Sequence, residues 1–290
     1  MYKNIYPVID TSFEKVAYNR STKKIKRLKP RSLVRSPLRY PGGKSRAMNT
    51  IVDLIPPNID CLVSPFIGGA SIELAVASKC GKQVYGYDVF KPLVTFWNVL
   101  LSNPSKLADA VKEHHPLTKT KFYSLQNRLP EMKAKHEIAA AFFALNRSSF
   151  SGTTLSGGMS PDHPRFTESA IERLAAFKVD SLTVEEADFK ESLTRHKNDF
   201  LYLDPPYANG GALYGKKGDC HIDFDHKGLA DILTNRDRWL LSYNDCTLVR
   251  DLYKNHKIIT PEWTYGMSAD KRSKEVIILS HDHDYVTRVS

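Results

Sequence analysis

The chain has 290 residues, of which 41% are hydrophobic and 26% charged, a composition typical of a globular protein with a sizeable core. Its four cysteines form no CxxC pair, which argues against a zinc ribbon or a disulfide framework, and no apolar run approaches the ~18 residues of a membrane helix. Lys and Arg number 42 and Asp and Glu 32, a net charge of +10; such a surface favours polyanions, although it also serves solubility alone.

Residues 1–36 form a basic N-terminal arm without the charged-then-apolar order of a signal peptide. Within it, residues 20–35 (RSTKKIKRLKPRSLVR) hold eight Lys or Arg and no acid. Such a run is typical of a solvated or disordered segment, and it also suits a phosphate backbone, because an arm of this kind orders on meeting nucleic acid. We expect a soluble, cytoplasmic protein with no membrane contact.

An α/β pattern begins after Pro37. The apolar run 61–66 predicts a strand, 72–79 a helix, 82–88 a second strand and 92–101 a second helix. A strand, a glycine turn, a helix and a strand make a βαβ unit, the building block of parallel sheets.

The middle of the chain, 103–179, shows helical segments and polar loops and no clear strand. Residues 137–147 (EIAAAFFALNR) predict a helix, and 167–177 predict another with Ser169 and Glu172 spaced as a capping box. Strand patterns resume at 181–187, 199–204, 238–244 and 275–282, with a helix at 226–234 among them. The sequence therefore predicts an α/β sheet, formed by 37–102 and 180–290, that is interrupted by a mostly helical insert at 103–179.

A glycine pair follows the first predicted strand, in SPFIGGAS (64–71). Gly68 and Gly69 permit a tight turn and close approach of the backbone to a ligand, and Asp88, twenty residues on, stands where an acid often binds ribose. An ordinary strand-to-helix turn remains the alternative. The spacing is not G-x-G-x-x-G, and PGGKS (41–45) lacks the upstream glycine and the strand of a P-loop.

The stretch FLYLDPPYANGG (200–211) ends a strand in a rigid corner, because two consecutive prolines stiffen the chain and remove two donors. An aromatic exocyclic amine is a poor nucleophile, since its lone pair is delocalised into the ring. The Asp204 carboxylate and the Pro205 carbonyl would each accept one of its N–H groups, and Tyr207 offers a ring on which a flipped base stacks. We interpret the corner as a clamp for a planar amine.

With these residues in place, the chain from about Pro37 to His283 resembles the Dam-like adenine-specific DNA methyltransferases, whose cofactor is S-adenosylmethionine. The shared parts come in the same order and are RYPGGKSR (39–46), SPFIGGAS (64–71), Asp88, LNRSSFSG (145–152), DPPY (204–207) and SADKRSKEVIIL (268–279). The resemblance implies a Rossmann-like methyltransferase sheet with helices on both faces and a target-recognition role for the helical insert 103–179. It also implies site-specific methylation of N6 of a flipped adenine in double-stranded DNA.

The resemblance also implies roles for particular residues. The catalytic residues would be Asp204, Pro205, Pro206 and Tyr207. The cofactor would be bound by Tyr40, Pro41, Gly42, Gly43, Lys44, Phe66, Gly68, Gly69, Asp88 and Asp204. The DNA would be contacted by Arg39, Asn146, Arg147, Phe150, Lys271 and Arg272.

Two positions depart from the family pattern. Phe150 replaces a frequent Tyr, which removes a hydroxyl and keeps the ring. Ser64 stands where many relatives have Glu or Asp, an acid that would pair with the methionine amino group of the cofactor. Another residue, for which Asp204 is a candidate, has to make that contact here. The partners implied are double-stranded DNA and a restriction endonuclease acting separately, in a bacterial or phage nucleoid, and we expect a monomer or a weak dimer.

Other readings stay open. The same clamp suits N4 of cytosine or an adenine in RNA, although Asp204, where cytosine enzymes often have Ser, favours adenine. No Pro-Cys pair is present, which argues against methylation of a cytosine carbon. A catalytically lapsed DNA-binding relative is disfavoured by the intact DPPY, and a nicotinamide oxidoreductase by the glycine spacing. The histidine-rich stretches 220–226 and 281–284 lack zinc-site spacing, so we predict no metal.

Overall fold

The computed structural model describes residues 32–160, 165–208, 224–261 and 275–283. It also describes the backbone of two short strands, Val16–Ala17 and Lys26–Arg27, which pair antiparallel. Residues 32–36 of the predicted basic arm are described as well, and the rest of the arm lies outside the described residues.

Seven strands form the main sheet, and we number them β1 to β7 along the chain. They are β1 Cys61–Ser64, β2 Gln83–Asp88, β3 Leu182–Glu186, β4 Phe200–Leu203, β5 Trp239–Asn244, β6 Lys257–Ile259 and β7 Glu275–Leu279. Their spatial order is β3-β2-β1-β4-β5-β7-β6, with the first five parallel and β7 antiparallel to both of its neighbours. The predicted Rossmann-like sheet is therefore confirmed. The sequence pattern missed β6, because three residues are too few to show a period.

The central strands are continuous apolar runs because both of their faces are covered. All four residues of β4 and all five of β7 are buried, as expected of strands with packed layers on either side. Two groups of buried side chains flank the sheet, one on each face: Leu62, Tyr202 and Ile277 belong to one, and Val63, Leu203 and Ile278 to the other.

Ten α-helices surround the sheet in the described part of the chain. They are α1 Met48–Leu54, α2 Ser71–Ala75, α3 Lys91–Ser102, α4 Pro104–Lys112, α5 Lys119–Arg128, α6 Lys135–Ser148, α7 Glu168–Ala175, α8 Phe189–Arg195, α9 His226–Thr234 and α10 Thr247–Leu252. A π-helical turn, Val76–Cys80, extends α2. None of the described helices has the length and apolarity needed to cross a bilayer.

The predicted capping box of α7 is wrong. The N-cap is Thr167, whose hydroxyl accepts the backbone N–H of Ala170 at 3.3 Å. Thr167 lies two residues before Ser169 and has the extended backbone that an N-cap requires. Ser169 is therefore already inside the first turn, where its hydroxyl lies 3.1 Å from that of Thr167.

Helices α4 to α7 occupy the region predicted as an insert, and they share one apolar core with the sheet. On α6, every residue from Ile138 to Asn146 is buried. The ring of Phe143 stacks on that of Phe96 in α3, with centroids 5.8 Å apart. This helical region is thus anchored to the sheet through α3, and its role as a separate target-recognition domain stays a prediction.

The direction of chain progression reverses between β1 and β4. From β1 the chain moves outward to β2 and β3, and from β4 it moves outward the other way to β5. Loops that leave the carboxyl ends of β1 and β4 separate there and open a crevice, which is where doubly wound sheets bind ligands. The glycine loop follows β1 and the DPPY corner follows β4, so this topology places both beside the same crevice.

Candidate active site

A cavity of about 560 Å³ lies at this crevice, within the range of ~300–1,000 Å³ that is usual for ligand sites. All ten residues predicted to bind cofactor line it, and so do all four residues of DPPY. Residues as distant in the chain as Tyr40 and Tyr207 therefore meet in one place. The sequence did not single out the other lining residues, among them Glu73, Asp188, Phe189 and Phe224.

The glycine loop is shaped by the tyrosine that covers it. Gly68 has a φ of +44°, and a Cβ built there would lie 2.8 Å from a ring carbon of Tyr40. A Cβ at Gly69 would lie 2.6 Å from the Cβ of Tyr40. Trp97, which the helical spacing placed in the core, is fully buried and donates its indole N–H to the Gly68 carbonyl at 3.0 Å. Both glycines are needed because no larger residue fits under Tyr40.

Asp88 closes the glycine loop from the end of β2. One carboxylate oxygen accepts the backbone N–H of Gly68 at 3.2 Å, and the other accepts that of Phe90, at the start of α3, at 3.0 Å. Burial raises the pKa of Asp88 to about 6, against the opposing effect of these hydrogen bonds. The carboxylate thus fixes the loop and at the same time lines the cavity.

The DPPY corner is held against the next strand. Pro205 is buried, and the backbone N–H of Ala208 donates to the side chain of Asn244, at the end of β5, at 3.0 Å. Among the described residues, none donates a hydrogen bond to the Pro205 carbonyl. The corner therefore presents a fixed carboxylate and a carbonyl acceptor side by side on the cavity wall.

Lys44 is the buried cation of the site, with 2% of its side chain exposed. Its ammonium lies 2.8 Å from each carboxylate oxygen of Asp204, 2.8 Å from the Gly42 carbonyl and 2.9 Å from the Tyr207 hydroxyl. The Tyr207 hydroxyl in turn donates to Glu275 on β7. These contacts tie the loop before α1, the DPPY corner and the last strand into one network.

Asp204 receives one more hydrogen bond, from the hydroxyl of Ser242 on β5 at 2.9 Å. Desolvation raises the pKa of Asp204 above its ordinary value, and the Lys44 ammonium opposes that shift. Lys44 and Ser242 both donate to the carboxylate, so they favour its ionised, acceptor form.

A second buried carboxylate, that of Glu73 on α2, also lines the cavity. It is 2% exposed and accepts a hydrogen bond of 2.6 Å from the hydroxyl of Ser64, at the end of β1. Burial raises the pKa of Glu73 to about 7, and the Asp204 charge adds to that shift. The sequence did carry a signal for this residue, because Glu73 is the one charged side chain in the apolar run 72–77.

Aromatic rings form the rest of the wall. Phe66 packs with its ring centroid 6.0 Å from that of Phe189 and 5.6 Å from that of Phe224. Phe189 opens α8 and Phe224 lies just before α9, so the three rings come from three different connections. Sequence patterns predicted Phe66 alone, since the other two lie outside any recognisable motif.

The predicted DNA-contacting residues divide into three groups. Arg39, Arg147 and Phe150 lie together: the guanidinium of Arg39 donates to the Ser149 carbonyl at 3.3 Å, and Phe150 is 64% exposed. Lys271 and Arg272 lie outside the described residues. Asn146 is fully buried, so its side chain is not accessible for a direct contact with DNA.

The side chain of Asn146 instead joins two chain segments by hydrogen bonds. Its amide oxygen accepts the backbone N–H of Arg39 at 2.9 Å, and its amide nitrogen donates to the carbonyls of Arg39 at 2.7 Å and Gly152 at 3.1 Å. The resemblance implied a DNA contact for Asn146, whereas the fold buries its side chain, because a sequence motif does not tell which of its polar side chains point inward.

Four guanidinium groups lie near one another in this region, those of Arg39, Arg147, Arg165 and Arg173. The sequence predicted the first two and not the last two. Burial lowers the pKa of Arg147 to about 10, and the charges of Arg39, Arg173 and Arg165 lower it further. Within the described ranges, no carboxylate lies within 4 Å of any of the four. The surface beside Phe150 therefore has a concentration of positive charge that no described carboxylate pairs with.

Comparison with known proteins agrees with this geometry. The sequence model of one family, described as D12 class N6 adenine-specific DNA methyltransferase, matches residues 40–267. The chain is 23% identical over 235 residues to the type II methyltransferase M.CviBI of Paramecium bursaria Chlorella virus NC1A, an alignment that covers 76% of this chain and 86% of the relative.

Two relatives are named DNA adenine methylase. The one from Haemophilus influenzae is 23% identical over 271 residues, covering 85% of this chain and 93% of its own length. The one from Salmonella typhimurium is 25% identical over 265 residues, covering 83% and 94%. The family match spans both motifs that the fold brings to the cavity, and the chain belongs to the D12 class of N6 adenine-specific DNA methyltransferases.

Proposed function

We propose that the cavity between β1 and β4 is the site at which this chain methylates adenine N6 in DNA, with S-adenosylmethionine bound along the glycine loop and the target amine held by Asp204 and the Pro205 carbonyl. The observation that carries the proposal is the placement of the Asp204 carboxylate on the wall of a cavity that the glycine loop also lines. Donor and acceptor of a methyl group have to meet, and here the two predicted binding elements share one space.

The lining fits S-adenosylmethionine in its chemistry. The aromatic wall of Phe66, Phe189 and Phe224 suits an adenine ring, and Asp88 lies where an acid binds ribose hydroxyls. The cofactor brings a methyl group on a sulfonium centre. The cavity is lined by five carboxylates, Glu73, Asp88, Asp188, Asp204 and Asp225, against two lysines, Lys44 and Lys190. Such an excess of acidic groups favours a cationic ligand.

The chain's own residues would activate the amine by orienting it. The Asp204 carboxylate and the Pro205 carbonyl each accept one N–H of the exocyclic amine, which localises the nitrogen lone pair and directs it into the cavity. Positive charge that develops on the nitrogen is stabilised by the carboxylate. No covalent bond between enzyme and substrate is required for this role.

The basic surface beside the cavity supports a place for the DNA. Arg39 directly precedes Tyr40, which lies on the glycine loop, so the arginine cluster adjoins the site. Guanidinium groups that have no acidic partner among the described residues suit backbone phosphates. The exposed ring of Phe150 suits insertion into a base stack from which the target adenine has been extruded. The name of the viral relative, a type II methyltransferase, supports a role beside a separate restriction endonuclease.

The test is to incubate the purified chain with unmethylated DNA and S-adenosylmethionine and to identify the modified nucleoside by mass spectrometry. We expect N6-methyladenine, and a loss of turnover of at least ~10²-fold in Asp204→Asn. The matched control is Asp109→Asn on the exposed surface of α4, which should retain full activity.

Two results would contradict the proposal. If the product were N4-methylcytosine, the base held by Asp204 and Pro205 would be cytosine and not adenine. Normal turnover in Asp204→Asn would show that the amine is held elsewhere.

A further inference from the structure

Glu73 is a buried carboxylate whose charge has no cationic partner within the described part of the chain. Its side chain is 2% exposed, and its side-chain partner is the neutral hydroxyl of Ser64 at 2.6 Å. The nearby buried cation, Lys44, lies 2.8 Å from both oxygens of Asp204 and 3.6 Å from Glu275, so its charge is already paired. Burying an unpaired carboxylate costs free energy, which this site would recover on binding a cation.

The position of Glu73 indicates which acid acts in place of the one that is absent at position 64. In the family pattern an acid stands at 64, where it would pair with the methionine amino group of the cofactor. Here Ser64 is in hydrogen-bond contact with a carboxylate that comes from α2, nine residues later in the chain. An acid is thus present at the same point of the cavity, supplied by the next element instead of by the end of β1.

The other candidate for this contact, Asp204, is already engaged. Its carboxylate accepts hydrogen bonds from Lys44 and Ser242, and the proposed function assigns its remaining acceptor capacity to the target amine. One carboxylate holding both a cationic cofactor group and the attacking amine would have to divide its lone pairs among four donors. Two carboxylates, Glu73 on α2 and Asp204 after β4, both line the cavity and separate these tasks.

We infer that Glu73 binds the α-ammonium group of S-adenosylmethionine, with the Ser64 hydroxyl orienting its carboxylate, and that this pair replaces the acid usual at position 64. The inference rests on the proposed function, since it assigns one group of the proposed cofactor to one residue. Glu73 is a cofactor-binding residue in this scheme and does not touch the transferred methyl group.

The electrostatics of the pocket favour such a ligand. Among the described residues, the groups that act on the Glu73 carboxyl are Ser64 from β1, Tyr202 from β4, Asp204 just after β4 and the backbone N–H groups of Ile72 and Glu73. None of these groups carries a positive charge. Burial raises the pKa of Glu73 to about 7, so near neutral pH a fraction of the free protein has this carboxyl protonated. An incoming ammonium group stabilises the ionised form, and binding should then release a proton to solvent.

The test compares two ligands by isothermal titration calorimetry with the full chain. S-adenosylhomocysteine carries the α-ammonium group but no sulfonium charge, and 5′-methylthioadenosine lacks the amino-acid part altogether. In Glu73→Gln we expect affinity for S-adenosylhomocysteine to fall at least tenfold and affinity for 5′-methylthioadenosine to change less than about twofold. Ser64→Ala should show the same selectivity with a smaller loss, and the exposed Glu172→Gln on α7 is the control.

Proton release is a readout that a merely structural role would not change. Titrating S-adenosylhomocysteine at pH 7 in two buffers of different ionisation enthalpy should reveal release of a fraction of a proton from the wild type. Glu73→Gln should lose it, while circular dichroism shows the variant to be folded.

Three outcomes overturn the inference. Equal loss of both ligands in Glu73→Gln would mean that the residue shapes the pocket without binding the ammonium group. Undiminished affinity for S-adenosylhomocysteine would mean that another residue binds it. If the wild type bound neither ligand, the cofactor assignment itself would fail, and this inference with it, which distinguishes the two cases.

Discussion

The ammonium group of Lys44 lies 2.8 Å from each carboxylate oxygen of Asp204, although the two residues are 160 positions apart. A buried carboxylate would otherwise tend to hold a proton, and a protonated Asp204 has lost part of its capacity to accept an amine N–H. The pair therefore keeps the predicted catalytic group in its acceptor form. It also immobilises the DPPY corner through the Tyr207 hydroxyl, which Lys44 contacts at 2.9 Å.

Lys44→Met should move the acid limb of the pH–rate profile to higher pH. The pKa of Asp204 is raised by burial and lowered by Lys44, so removing the ammonium group leaves the upward shift unopposed. In the proposed mechanism, activity requires ionised Asp204 and is lost as the pH falls through the pKa of this residue. Turnover of Lys44→Met at neutral pH should therefore drop by on the order of tenfold. Lys112→Met on the exposed surface of α4 is the control; an unmoved acid limb in Lys44→Met would count against this role.

Glu73→Gln should stabilise the free protein at alkaline pH while impairing it as an enzyme. The pKa of Glu73 is about 7 in the folded chain against 4.5 for an unperturbed Glu, so the unfolded chain releases this proton first as pH rises. The stability associated with protonated Glu73 is complete below pH 4.5 and is lost progressively up to and through pH 7. Gln does not ionise, and its side chain still reaches Ser64.

Denaturant unfolding at pH 5 and pH 8 measures this difference. We expect the free energies of unfolding of wild type and Glu73→Gln to agree within about 1 kcal/mol at pH 5, and the variant to be more stable by roughly 3 kcal/mol at pH 8. A difference that is the same at both pH values would show that ionisation of Glu73 is not its cause.

Arg147→Met should weaken binding to all DNA sequences by a similar factor. Arg147 stands among the charges of Arg39, Arg165 and Arg173, and a guanidinium that binds phosphate contributes to the salt dependence of affinity. The slope of log K against log salt should become shallower by about 1. Fluorescence anisotropy with a labelled duplex measures it, and Lys197→Met, which removes the same charge just before β4 at the opposite end of the sheet, should leave the slope unchanged.

Gly152→Ala should disturb the segment that presents Phe150. Gly152 has a φ of +80°, and a Cβ there would lie 2.0 Å from the backbone carbonyl oxygen of Arg39. The left-handed backbone alone costs an alanine ~1–2 kcal/mol, and the clash adds to it, because the oxygen belongs to the chain segment that Asn146 clamps.

Thermal unfolding and DNA affinity should both be reduced in this variant. The matched control is Gly158→Ala in the same loop, whose Cβ would meet only the hydroxyl at the tip of the half-exposed Tyr123 side chain, at 3.1 Å. Equal effects of the two substitutions would argue that the loop is sensitive to any added methyl group and not to the contact with Arg39.

Local patterns in the sequence determined the fold class, most of its elements and the two chemical motifs. Strand patterns marked six of the seven strands, and that of the central strand β4 is an apolar run because both of its faces are covered. Glycines after β1 and prolines after β4 identified the two turns, since their backbone chemistry constrains the chain whatever surrounds it. The order of these motifs then sufficed to indicate the family, which the match over residues 40–267 confirms.

Tertiary structure alone decided which polar side chains act together. The pairs Lys44 with Asp204, Ser64 with Glu73 and Tyr207 with Glu275 join residues 160, 9 and 68 positions apart. Such contacts leave no periodic trace in a sequence, because they depend on how separate elements pack. For the same reason the sequence placed Asn146 at the DNA, whereas the fold buries it, and it left open which acid replaces the one absent at 64. A carboxylate's position in space is set by packing, so a neighbouring helix can supply what a strand end lacks.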